Sequence, residues 1–70
     1  MDQLNIKING IEKTYNRNNL TLENIIKIEG MNTQGSALAV NYVFIPKQNH
    51  KTFLLKNKDE IEIVIPFQGG

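Results

Sequence analysis

Two consecutive glycines, Gly69 and Gly70, close the sequence, and no other residues in it are better suited to carry chemistry. At a usual glycine frequency of about 7%, such a pair ends a chain by chance about once in 200 sequences. Glycine lacks a Cβ, so two in a row form a thin, conformationally free strip that can enter a narrow slot in another protein. The terminal carbonyl carbon is then open to a nucleophile. An α-carboxylate is anionic near neutral pH and therefore a poor electrophile. It needs activation, most economically as an acyl-adenylate with AMP as leaving group. A sulfur donor that displaces AMP leaves a thiocarboxylate on Gly70, and its sulfur is more nucleophilic than carboxylate oxygen. An end of this kind suits a carrier better than an enzyme with its own pocket. The sequence has no glycine-rich phosphate loop, so it is expected to bind no cofactor of its own.

Other candidates are weaker. His50 is a lone imidazole in a polar turn with no metal-type residues near it in sequence, which favours a structural or solvent-facing role over ligation. Glu60 and Glu62 alternate along one strand face, and a solvated face explains them better than a paired-carboxylate site. Phe44 and Phe67 are candidates for an exposed docking patch. Core packing is the favoured fate of Phe44, whereas Phe67 adjoins the tail and suits docking better. The absence of cysteine excludes disulfides, thiolate metal sites and cysteine nucleophiles. No catalytic residue and no metal site is expected.

Seventy residues allow one domain with a small core, in which nearly every apolar side chain is needed for packing. The 40% hydrophobic and 21% charged composition is that of a globular chain. Eight basic and seven acidic residues are spread along it for a net charge of +1, so nothing marks a nucleic-acid or anionic-membrane surface. No apolar run approaches the roughly 18 residues of a membrane span. Met1-Asp2-Gln3 lacks the pattern of a signal peptide. A cytoplasmic protein is expected, or one of the plastid stroma if organelle-encoded. Abundant Asn and Ile, and seven Lys against one Arg, fit an AT-rich genome and are read as a trace of origin.

The elements that must present the tail follow from periodicity. Leu4, Ile6 and Ile8 alternate with Asn5, Lys7 and Asn9, the period-two pattern of a half-buried strand. Asn9-Gly10 predicts a type I′ turn, returning through a strand over 11–15. A loop at 16–19 precedes a helix with Thr21 as N-cap and a Leu20–Ile25 hydrophobic staple. Leu22, Ile25 and Ile26 give that helix an apolar face, with Ile28 adding to it. Gly30 supplies a left-handed stop, with Met31 packing back on Ile26. Short strands follow at 37–40 and 43–45, joined at Asn41-Tyr42 and ended by Pro46. Residues 47–51 suit a single helical turn, and Phe53, Leu54 and Leu55 are expected to close over the core. After a turn at Asn57-Lys58-Asp59, residues 60–65 form the last strand, with Ile61, Ile63 and Ile65 facing one way.

The fold expected is α+β: a mixed sheet of four to five strands, order β-β-α-β-β-β, with one main helix on one face. This is the β-grasp, ubiquitin-like arrangement, with a body at 1–66 and a flexible tail at 67–70. On that frame the chain resembles the ThiS-type sulfur carriers of thiamine biosynthesis. The resemblance rests on Leu20-Thr21-Leu22, Ala39-Val40-Asn41, Ile45-Pro46-Lys47, the run from Asp59 to Val64, and Gln68-Gly69-Gly70. It implies that Gly70 is adenylated by an E1-like adenylyltransferase and converted to a thiocarboxylate, with sulfur supplied by a donor such as a cysteine desulfurase. The sulfur then passes to thiazole synthase. Gly69 and Gln68 would thread the partner, and the free carrier would be a monomer. A molybdopterin-synthase-type sulfur carrier, a ubiquitin-like modifier and a plain interaction domain stand as alternatives. Two positions depart from the family pattern: Tyr42 follows Asn41 where a residue tolerant of positive φ is usual, and Lys58 replaces the usual glycine before the last strand. Pro66-Phe67 also stiffens the approach to the glycines.

Overall fold

A computed structural model describes residues 3–65. The elements are β1 (Leu4–Ile8), β2 (Ile11–Tyr15), α1 (Leu22–Glu29), β3 (Ala37–Val40), β4 (Val43–Ile45), a 3₁₀ turn (Lys47–Asn49) and β5 (Glu60–Val64). They form one five-stranded sheet in the order β2-β1-β5-β3-β4. β1 and β5 run parallel, and the other neighbours are antiparallel. The helix covers one face, which makes the fold a β-grasp. The expected boundary between body and tail lies outside the described residues. Among the described residues no helix is long and apolar enough to cross a membrane.

The core is built from alternate strand positions and one side of the helix. Leu4, Ile6 and Ile8 from β1, Leu38 and Val40 from β3, Ile45, Ile61, Leu20, Leu22, Ile25 and Leu55 are all buried together. Asn9 and Gly10 both have positive φ, as the type I′ hairpin requires. The helix start leaves no amide without a partner. Thr21 and Asn24 form a reciprocal capping box, while the Leu22 and Glu23 amides donate to the carbonyls of Phe53 and His50. Gly30 ends the helix in the left-handed region, and the Met31 amide donates to the Ile26 carbonyl.

Several side chains fall elsewhere than the sequence suggests. Ile28 is 49% exposed. At about 100° per residue it lies roughly 120° from Leu22 around the helix, and Glu29 sits closer to the inward face. Leu54 is exposed while Leu55 is buried, because the segment bridges Thr21 in extended form and so turns successive side chains to opposite sides. Regular pairing in β5 stops at Val64, and Ile65 stands exposed beyond it.

The Asn41-Tyr42 connection is a tight turn with both residues in the left-handed region, at φ 52° and 68°. Tyr42 adopts a conformation that favours glycine because its neighbour is clamped. The Asn41 amide donates to the Glu60 carbonyl, its Oδ1 accepts from the Glu60 amide, and its Nδ2 donates to buried Asp59. Lys58 likewise keeps a glycine-type φ of 73°. That turn is held by the Lys58 amide to the Asn5 carbonyl, the Asn5 amide to Asn57 Oδ1, and the Lys56 amide to Asp59 Oδ2. Both departures are therefore tolerated strain in an over-determined turn. Tyr42 is 80% exposed and loses little packing on truncation. Tyr42→Gly is expected to relieve about 1 kcal/mol of that strain and raise the melting temperature by about 4–8 °C in a thermal melt.

Candidate functional site

β5 lies between β1 and β3, so the chain leaves the body from the middle of the sheet, at the end where β3 begins. The candidate carrier position Gly70, the threading residues Gly69 and Gln68, and Phe67 lie outside the described residues. Gly70 is five positions beyond Ile65, which puts it within at most about 18 Å of that residue.

On the sheet face away from the helix, the cross-strand rows put apolar groups beside this exit. Phe44 pairs with Ala39, and Ala39 with Glu62, while Ala37 pairs with Val64. Phe44 is 60% exposed, which overturns the expectation that it packs in the core. The reason is register: Ile45 opposite Leu38 takes the inward position, and its neighbour Phe44 must point out. The two small alanines leave a shallow apolar shelf between Phe44 and Val64. Val64, Ala37 and Ala39 were not singled out as site residues by sequence reasoning. Their signal was available only once strand register placed 37, 39, 44 and 64 on one face.

The same face changes character toward β1 and β2. There Asn5, Lys7, Glu12, Thr14, Lys58 and Glu60 line a shallow polar groove. Glu60 lies opposite Lys7, and Glu62 lies opposite Ala39 and is exposed to solvent. At the other end of the chain, Asn9 Oδ1 accepts the Ile63 amide at 2.9 Å, one residue before the last paired position of β5.

The remaining titratable groups tie elements together. The Tyr15 hydroxyl donates to Glu29 Oε2 at 2.6 Å, and Lys13 Nζ stands 3.4 Å from Glu29 Oε1. Burial, and then the Glu29 carboxylate, push the Tyr15 hydroxyl well above its ordinary pKa. The hydrogen bond from Tyr15 holds Glu29 below the usual carboxylate range, with Lys13 assisting. The three groups join β2 to the helix end, away from the shelf. His50 Nε2 lies 3.1 Å from the Ile45 carbonyl, to which the Nε2–H tautomer donates, and the His50 carbonyl accepts the Glu23 amide. Among the described residues no three His, Cys, Asp or Glu side chains gather as a metal site.

Comparison with known proteins places this geometry. The model of the ThiS family matches residues 4–70. A thiamine biosynthesis protein (ThiS) from Geobacter metallireducens, known from its crystal structure, superposes with a TM-score of 0.81 at 16% identity. The match covers 96% of this chain and 100% of that one, and at such low identity it establishes the fold. No curated protein sequence matches significantly.

Proposed function

This chain belongs to the ThiS family, and on that premise we propose that it carries sulfur on Gly70 for assembly of the thiazole ring of thiamine. The observation that carries the reading is the family match running through the diglycine end, to residue 70. The protein is a carrier and co-substrate, and catalysis belongs to its partners. An adenylyltransferase joins the Gly70 carboxylate to AMP and releases pyrophosphate from ATP. Sulfur then forms a bond to the carbonyl carbon as the bond to AMP breaks. Where the donor is a persulfide, such as that of a cysteine desulfurase, its terminal sulfur attacks first. A second thiol attacks the donor's sulfur in the resulting acyl disulfide, releasing the thiocarboxylate and forming a disulfide between donor and thiol. Thiazole synthase is the acceptor.

The shelf of Phe44, Ala39, Ala37 and Val64 is the docking face for the adenylyltransferase in this reading. It adjoins the point from which Gly70 has about 18 Å of reach, so a partner seated there has the terminus within range of its active site. An exposed aromatic that anchors such a face often contributes about 2 kcal/mol of binding energy. Phe44→Ser is expected to raise KM for adenylation at least about tenfold. Its melting temperature should change little, since the side chain is mostly in water. Steady-state pyrophosphate release checks the first and a thermal melt the second.

The decisive experiment is intact mass spectrometry after incubation with the cognate activating enzyme, ATP and a sulfur source. A gain equal to exchange of one oxygen for sulfur is expected. No gain, under conditions that convert a known carrier, overturns the reading. Thiamine auxotrophy on loss of the gene would assign the pathway, and loss of molybdoenzyme activity instead would reassign it.

A further inference from the structure

We infer that the Asn9 side chain is a positioning residue: it holds the end of β5, the strand that leads into the carrier tail. The inference rests on the carrier reading above. The backbone ladder between β1 and β5 pairs Lys7 with Glu60 and Ile8 with Ile61, and goes no further. The Asn9 amide still donates to the Ile61 carbonyl at 2.9 Å, but then the chain turns away through Gly10. The next β5 amide on that side, Ile63, would face a missing strand. Asn9 Oδ1 accepts it instead, so a carboxamide stands in for the absent backbone carbonyl across 54 residues of sequence. On the opposite edge β3 holds the strand through Leu38 with Ile63 and Ala37 with Val64. The strand end is thus gripped from both sides immediately before the tail. Without the Asn9 bond only β3 would define its direction. Val64, the residue after Ile63, belongs to the docking shelf, so a loosened strand end also disturbs the surface the partner reads.

Two substitutions separate this role from the role of Asn9 in the hairpin. Asp-Gly and Gly-Gly suit a type I′ turn as Asn-Gly does. Asn9→Asp keeps an acceptor for Ile63, and Asn9→Gly removes it. In the full chain, Asn9→Gly is expected to speed hydrogen exchange at the Ile63 amide about fivefold, the factor for one lost hydrogen bond. It should also raise KM for adenylation by a similar factor, with kcat within about twofold. Asn9→Asp should restore both. The inference is overturned if Asn9→Gly leaves Ile63 exchange and KM as in the wild type. It is also overturned if Asn9→Asp behaves like Asn9→Gly. Failure of the wild-type chain to be adenylated at all would instead overturn the carrier reading, and Ile63 exchange would still report whether Asn9 grips the strand.

Discussion

A chain shortened by Gly69 and Gly70 is expected to melt at the wild-type temperature and yet accept no sulfur. Every buried apolar side chain among the described residues lies between Leu4 and Ile61, and glycine has no side chain to add to a core. In the carrier reading proposed above their contribution is chemical: Gly70 supplies the carboxylate that is adenylated, and Gly69 the narrowness that lets it arrive. Moving the carboxylate back to Gln68 shortens the reach by about 7 Å and puts a long side chain at the reacting end. Conversion should fall below detection in intact mass spectra. Gly69→Val is a graded version, because a β-branched side chain both widens the strip and restricts its torsions. A loss of at least about 10²-fold in adenylation rate is expected, as for reacting groups displaced by about 1 Å. Normal conversion of either variant would remove the diglycine from the mechanism.

Ile25→Ala is expected to have the largest effect on stability. Ile25 is fully buried in the centre of the helix face, against a sheet that has no second layer to compensate. Truncating such a side chain costs about 2–5 kcal/mol, whereas a domain of this size has about 4–10 kcal/mol in total. The melting temperature should fall by at least about 10 °C, with a visible unfolded fraction by circular dichroism at 37 °C. Ile28→Ala on the same helix is the control. Half in water, it should cost under about 1 kcal/mol. Equal losses at the two positions would contradict the orientation of the helix.

Ile25 and Ile28 also mark how far periodicity reads. Strand alternation, the Asn9-Gly10 turn, the Thr21 cap and the Gly30 stop are local patterns, and all of them occur where the sequence places them. Isoleucines three apart in a short helix look equivalent in a list of apolar residues. Only the angle each makes with the sheet divides them. Phe44 carries the same lesson in a strand. Its type argues for the core, but its place one residue from inward-facing Ile45 puts it outside.

The asparagines show the limit most plainly. Their abundance reads in the sequence as a compositional bias, yet among the described residues the carboxamides of Asn9, Asn24, Asn32, Asn41 and Asn57 accept backbone amides, from Ile63, Thr21, Gln34, Glu60 and Asn5. Three of those bonds join residues 19 to 54 positions apart. They allow Tyr42 and Lys58 to sit at positive φ, and they finish the sheet where β1 ends.

By itself the sequence determined the elements, their order and the β-grasp, because each depends on neighbouring residues, and it is the source of the chemistry proposed for the terminal glycines. Tertiary structure alone decided which apolar side chains face water beside the exit, and which side chain grips the last strand. Those depend on the register between strands far apart in the chain, and a one-residue change of register would turn Phe44 inward and leave the Ile63 amide without Asn9.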